Sequence, residues 1–363
     1  MKRSFLFLVV LTVLAVSAAL LLSRDESPSG VASDSTLFLR NMAGQINNVD
    51  RVEVVTAGQQ PVATLIRATD KWQVEQMGGY PADWPKLKKL LSALATAKII
   101  ETKTDKPEYY PRLGVEGVDS ADTASVLVKL IAGDQSVIVI VGNRAQGRSG
   151  QYVRLQGNAA SALVDQNLEV PTETREWANK RIIDISSTEV AEVEIVHPDG
   201  ERVLVTKVSA DQSDFELVGK PPERETKSSW AVNSLGSVLS LLDLETVHAA
   251  RDMDWSDAVR MRVLLFSGVE IMADMKEADG EKLFRLQASH PAAKVTTDQD
   301  DDETAIKAAE DVANTVTDIN QRVTGWVYGI AGHKYDAMVK KPEDLLKPCL
   351  LYTSDAADEY QRV

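Results

Sequence analysis

The 363 residues carry 54 acidic against 40 basic side chains, a formal net charge of −14, with 44% hydrophobic and 26% charged positions. That balance buries a sizeable core and excludes a disordered chain, and the length suits two ordinary domains. The negative charge, with no run of Lys and Arg interleaved with aromatics, excludes nucleic acid as a partner.

Lys2 and Arg3 precede an unbroken apolar run from Phe5 to Leu22, and Ser23, Arg24 and Asp25 end it. At about 1.5 Å per residue the run comes close to the ~30 Å hydrocarbon thickness of a bilayer. Residues 1–23 are therefore expected to be a signal anchor, one transmembrane helix seated in inner-membrane lipid. Positive charge ahead of the span keeps the N-terminus cytoplasmic and sends the rest across. A cleaved signal peptide is the competing reading, because Val16-Ser17-Ala18 offers small residues to a peptidase. No cysteine stands in the run or directly after it, which excludes a lipid-anchored lipoprotein. The expected address is the bacterial inner membrane, single pass, with the main body in the periplasm.

Residues 24–50 read as a polar tether, "SRDESPSGVASDS", followed by a short amphipathic helix carrying Leu37, Phe38, Met42 and Ile46. From residue 51 a pattern begins that later recurs. Strands are expected at "VEVV" (Val52 to Val55), "ATLIRA" (Ala63 to Ala68) and "KWQVEQ" (Lys71 to Gln76). A helix follows, opened by Asp83 and Pro85, with Leu87, Leu90, Leu91 and Leu94 on one face. The order returns as "VEIV" (Val193 to Val196), "ERVLVTK" (Glu201 to Lys207), "DFELV" (Asp214 to Val218) and a helix through Leu235, Val238, Leu239 and Leu242. Downstream, "VLVKLIAGDQSVIVIVG" and "QYVRLQG" are echoed by "MRVLLFSGVEIMADM" and "LFRLQA", which places Arg154 and Arg285 on equivalent strands.

A repeat this long is a duplicated domain, not a solenoid. Meander strands alternating with polar residues imply an antiparallel sheet with one face covered by helices. The expected fold class is α+β: two tandem copies of an antiparallel sheet plus helix module, at 51–185 and 186–348. The first copy alone carries "KPEYYPRLGVEGVDSADT" (Lys106 to Thr123); the second has a shorter acidic link around "ARDMDWSDA".

The opening membrane segment, "KWQVEQ", "YPADWPKLKKLLSAL", "YPRLGVEG", "QYVRLQG" and "REWANKRIIDI" together resemble the domain-of-unknown-function family numbered 4340. The resemblance covers most of Val52 to Leu346, but its motifs are packing and turn patterns, so it carries over no catalytic residue. It implies a single-pass envelope protein that accompanies an ABC-type transport system, resembling gliding-motility or auxiliary exporter components, with ABC transporter subunits as the expected protein partners.

Hydrolytic, redox and nucleotide motifs are missing: there is no G-x-S-x-G, C-x-x-C, H-E-x-x-H, G-x-G-x-x-G or P-loop. No cofactor or metal is expected, since His197, His248, His290 and His333 lie far apart, each without a second ligand at zinc spacing. They read as surface or turn histidines, His197 ahead of the turn Pro198-Asp199-Gly200. "GNRAQGRSGQ" (Gly142 to Gln151) joins glycines with Arg144 and Arg148, so it reads as an anion cradle or as a hairpin loop. "DQDDDE" (Asp298 to Glu303) is a weak calcium site or a solvated run ahead of a helix. Tyr109, Tyr110 and Arg112 have the composition of an interface hot spot, against which stands a structural plug over the sheet. With Arg144 and Arg148 they form the candidate partner surface.

These observations favour a non-catalytic, membrane-anchored periplasmic binding or scaffolding protein accessory to an envelope ABC-type system. A glycan- or peptide-binding module is the alternative, and an unrecognised hydrolase using Asp252, Asp254 and Asp257 a third. The tail, residues 349–363, opens with "CLLYTSDAADE", which holds the only cysteine, Cys349. It has no counterpart in the first copy, and it resembles translated sequencing-adapter sequence. The native sequence is therefore expected to stop near Pro348.

Overall fold

A computed structural model describes residues 36–250, 253–290 and 303–348. The expected membrane helix, most of the tether, the acidic run before Glu303 and the tail from Cys349 lie outside these residues. Within them, no helix is long and apolar enough to cross a membrane. Contacts gather the chain into two compact units. One joins the described residues up to Arg67 with Trp84–Thr172, the other joins Ala68–Asp83 with the described residues from Glu173 onward.

The secondary structure is dominated by two nine-stranded sheets, and helices are few. The first sheet contains β1 (Arg51–Thr56), β2 (Gln60–Ala68), β3 (Lys71–Val74), β4 (Tyr80–Pro81), β5 (Ile99–Thr102), β6 (Val126–Ala132), β7 (Gln135–Arg144), β8 (Gln151–Leu155) and β9 (Ser161–Val164). Its order is β4-β3-β2-β1-β6-β7-β8-β9-β5. The second contains β10 (Arg181–Ile183), β11 (Val190–Val196), β12 (Arg202–Thr206), β13 (Glu216–Leu217), β14 (Leu242–Ala249), β15 (Val259–Leu265), β16 (Glu270–Ala278), β17 (Glu281–Ser289) and β18 (Trp326–Ile330). Read from β13, it runs β13-β12-β11-β15-β16-β17-β18-β14-β10. Eight strands thus follow one order in both sheets, and only β4 and β10 lack a counterpart. The antiparallel class expected from the alternating strands holds, for example in β1 with β6 and β11 with β15.

The alternation sets the inner faces. Val52 and Val54 of β1, Val128 and Leu130 of β6, and Val139 and Val141 of β7 are buried. Their equivalents in the second sheet are Val193 and Ile195, Met261 and Val263, and Ile271, Ala273 and Met275. Side chains two residues apart on a strand share a face, so each set points one way. Between β4 and β5 runs α1 (Trp84–Thr96), which has Pro85 in its first turn and buries Leu87, Leu90, Leu91 and Leu94.

One helix differs from the sequence reading, and the helix expected after the acidic run is present. After α2 (Tyr110–Leu113), α3 (Ser229–Gly236) is capped by Ser228, whose Oγ accepts the Ala231 N–H at 3.2 Å. Leu235, Val238, Leu239 and Leu242 do not share this helix. Gly236 abuts the Phe215 ring, where a Cβ would lie at 2.1 Å, and the chain then turns before β14 opens at Leu242. In the second sheet a long helix, α4 (Glu303–Val323), separates β17 from β18, where the first sheet has only a short link. Its Asn320 side chain donates to the Ala288 carbonyl and accepts from the Ala288 N–H, at 2.8 and 2.9 Å. The short helices α5 (Gly332–Met338) and α6 (Pro342–Leu345) complete the described chain.

The opposite faces are covered by the links into β6 and β15. Ile140 points away from Val139 and Val141, and onto it pack Tyr110 and Val115, with Leu113 and Tyr152 beside them. Arg154 of β8 fixes this cover: its guanidinium lies 4.4 Å from the centre of the Tyr110 ring, and its Nε donates to the Val115 carbonyl at 2.8 Å. The Tyr110 hydroxyl donates to the Ala159 carbonyl at 2.6 Å. In the second sheet Trp255 packs with Ala258, Leu283 and Val327, and Arg285 of β17 lies 4.4 Å from its ring centre. The equivalent arginines therefore clasp an aromatic residue in each sheet.

Gly142 lets the first cover approach. A Cβ there would lie 2.4 Å from the Leu113 carbonyl oxygen and 2.7 Å from that of Gly114. Backbone cannot swing aside as a side chain can, so Gly142→Ala is expected to cost about 1–3 kcal/mol. Urea denaturation followed by circular dichroism measures it.

A second expectation concerns two phenols in the second unit. Tyr80 meets Trp326 and Tyr328 edge-on, with ring centres 5.0 and 6.1 Å apart. Burial pushes both phenols above their ordinary value, and Tyr80 adds to the rise at Tyr328. The unfolded chain then loses these protons first, so their stabilising contribution is complete below about pH 10 and is lost as pH rises beyond it. The urea midpoint should fall between about pH 9 and pH 11, and Tyr328→Phe should flatten that fall.

Candidate functional site

The candidate surface depends on where the chain goes after β5. Lys103 and Thr104 prolong that strand, because the Lys103 N–H donates to the Ser161 carbonyl and the Ser161 N–H donates to the Thr104 carbonyl, at 2.8 and 2.9 Å. Ser161 is fully buried, and its hydroxyl donates to the same Thr104 carbonyl at 2.7 Å. A 3-10 turn, Pro107–Tyr109, then leads into α2. Gly114 ends α2 in the left-handed conformation, at φ 66°, which glycine adopts without strain.

The two adjacent tyrosines separate. Tyr110 turns inward and is 7% exposed, so it supports the surface from below and is not part of the exposed candidate set. Tyr109 stays outside at 40% exposure, with the Arg112 guanidinium 5.1 Å from its ring centre. The plug and the surface that the sequence offered as alternatives thus fall to neighbouring residues.

The stretch Gly142 to Gln151 holds the end of β7, the hairpin loop 145–150 and the start of β8, and the loop is closed where the Ala145 N–H donates to the Gly150 carbonyl at 2.9 Å. Arg148 at its tip donates to Glu101 of β5 at 2.9 Å, and Glu101 also takes Lys103 at 2.6 Å. Lys103 and then Arg148 hold the Glu101 carboxyl below its usual range, and Glu101 in return raises Arg148. The charge of Arg148 is therefore already met, which removes it from an anion cradle. Arg144 sits exposed at the end of β7. With Lys89 as the stronger influence, its charge lowers Glu169.

Tyr109 and Arg112 line an open groove of about 630 Å³, with Leu113 and the run from Glu101 to Lys106. Glu101 ties Arg148 to its wall, so loops far apart in sequence meet at one strand. Glu101 was missed in the sequence because a single carboxylate on a polar strand carries no signal of its partners. The groove holds the cations Lys103, Lys106 and Arg112 against the carboxylates Glu101 and Asp105. β5 is the last strand of its sheet. Among the described residues its outer side is paired only at its start, where the Phe38 N–H donates to Ala97 and the Ile99 N–H to Thr36, at 2.8 and 3.0 Å.

The other polar candidates are held in local structure. His197 is buried, contrary to the expected surface position: its ring meets the Lys340 carbonyl at 3.2 Å, and the Gly200 N–H donates to its own carbonyl in the expected turn. His248 faces Glu281 at 2.8 Å, and His290 faces the Gly268 carbonyl at 3.1 Å. Asp254 and Asp257 are held below the usual carboxylate range, Asp254 by the Ser256 backbone N–H and Asp257 by Lys276. Asp252 and most of the acidic run from Asp298 lie outside the described residues. Among the described residues, no three of His, Cys, Asp or Glu are grouped to hold a metal ion.

One family model, "Domain of unknown function (DUF4340)", matches residues 72–258, from within β3 to the edge of β15. No curated protein and no solved structure gives a match. The matched stretch is just over half of the chain and includes α1, the Tyr110 cover and the whole groove. The chain therefore belongs to this family of unknown function.

Proposed function

We infer that this chain is a non-catalytic, membrane-anchored periplasmic protein built from two tandem copies of one α+β module. It acts as a binding or scaffolding component of an envelope ABC-type transport system. The carrying observation is the groove beside β5, where Tyr109, Arg112 and Glu101-bound Arg148 converge. An exposed aromatic ring with a stacked arginine is the composition of a binding hot spot. The uncharged run from Phe5 to Leu22 supports the anchor, and the family resemblance supports the transporter neighbourhood.

A second reading, a peptide-binding module, is favoured by the outer edge of β5. An extended segment adding to that edge would gain backbone hydrogen bonds, while its alternate side chains entered the groove.

Co-purification of the full chain from its native envelope after mild crosslinking tests the first reading. Transporter subunits should be recovered, and Tyr109→Ala with Arg112→Ala should reduce that recovery by at least about tenfold. A solitary protein, or recovery indifferent to both substitutions, rejects it. Capture of extended peptides without transporter subunits selects the second.

A further inference from the structure

The outer faces of the two sheets carry the same register but different chemistry. In the first sheet Val55 of β1 stands opposite Leu127 of β6, Leu127 opposite Ile140 of β7, and Ile140 opposite Arg154 of β8. In the second, Val196 stands opposite Arg260, Arg260 opposite Asp274, and Asp274 opposite Arg285. The second row is an ionic ladder, with Asp274 2.8 Å from Arg285 and 4.0 Å from Arg260. The first row is aliphatic at both of those middle positions.

Above that aliphatic row lies a cavity of about 360 Å³, near the small end of the 300–1,000 Å³ typical of ligand pockets. Val55, Leu127 and Ile140 line it, and Gly117, Val118 and Asp119 form another part of its wall. Gln59 and Gln156 complete the lining. The wall is fastened to the β1–β2 turn by two backbone bonds, Gly58 N–H to Ser120 and Gln59 N–H to Val118, at 3.0 and 2.9 Å. A third bond runs from the Gln59 side-chain amide to Asp119 Oδ1 at 2.7 Å. Gln59 holds a left-handed backbone at φ 57°, uncommon for a residue with a side chain. That conformation sits at the one place where the turn carries its amide into the cavity wall.

We propose that this cavity is a binding site for a small aliphatic molecule bearing an amine or amide N–H. The body packs on Val55, Leu127 and Ile140. The N–H groups are accepted by Asp119 and by the side-chain carbonyls of Gln59 and Gln156. An anionic ligand is disfavoured by Asp119 and by the net charge of −14. The same chemistry is offered by a free amino-acid amide and by the amino-terminal residue of a peptide. The site is separate from the groove beside β5 and does not depend on the transporter reading.

Calorimetric titration of the full chain with leucinamide, N-acetylleucinamide and N-acetylleucine tests it. The two amides should bind, and the carboxylate about tenfold more weakly or not at all. Leu127→Trp, which fills the cavity from a half-buried position, should abolish binding. Asp119→Asn, at an exposed position, should weaken leucinamide by about tenfold and N-acetylleucinamide less. A leucyl tripeptide amide that binds more tightly than leucinamide assigns a peptide end; weaker binding assigns the free molecule. The proposal is overturned if neither amide binds, if N-acetylleucine binds best, or if binding survives both substitutions in proteins that keep their parent melting temperature.

Discussion

The pairing of β1 with β6 is the contact from which the first sheet is organised. Val54 stands opposite Val128, both fully buried, and more than seventy positions of chain lie between them. Closing so long a loop costs entropy that only burial of both strands offsets. The pairing joins two meanders, β4 to β1 and β6 to β9, and leaves β5 at the far edge. The intervening chain must therefore travel to that edge as α1 and return as the Tyr110 cover. The amphipathic helix, the arginine clasp, the groove and the aliphatic cavity are all consequences of that excursion. β11 and β15 impose the same route in the second sheet, with Trp255 in the place of Tyr110.

Equal routes make the two sheets mutual controls. The clasp is kept in both because each link crosses a strand face whose apolar patch needs cover, and a guanidinium can stack on a ring while donating elsewhere. The rows beneath diverge. Arg260, Asp274 and Arg285 satisfy one another, and such a ladder can face water at little cost. Leu127 and Ile140 cannot, so the first link bends over them and is tied down through Gln59. A cavity arises where the link spans the row without filling it.

Much of this was legible in the sequence. Alternation located meander strands such as β1, β6, β11 and β15, and a four-leucine stripe located α1, because side-chain period reports a buried face directly. It reports neither a strand as exposed as β5, which was not expected, nor which strands are neighbours. The helix proposed through Leu242 failed for a related reason. A turn and a strand bury Val238, Leu239 and Leu242 at the same spacing as a helix would, and the Phe215 ring against Gly236 is a contact no period encodes. Tyr109, Arg112 and Arg148 were recognisable as unusual residues, and Arg154 with Arg285 as an equivalent pair. Glu101 and the cavity residues were not, since Val55, Gln59, Leu127 and Gln156 are ordinary types brought together only by register.

Groove and cavity are mechanically joined through one segment. Between them stand Tyr110, Leu113 and Gly114, held by Arg154, Gly142 and the Ala159 carbonyl. Leu113 lines the groove while Val115, two residues on, packs on Ile140, which lines the cavity. A shift of the segment that widened one space would act on the other through contacts too tight to absorb it, because packed interiors transmit displacement. Occupancy of the two sites would then be coupled by whatever difference in segment position each occupant prefers, and the coupling would be reciprocal. The Arg154 guanidinium, held on the Tyr110 ring and on the Val115 carbonyl, is the contact that would oppose such a displacement.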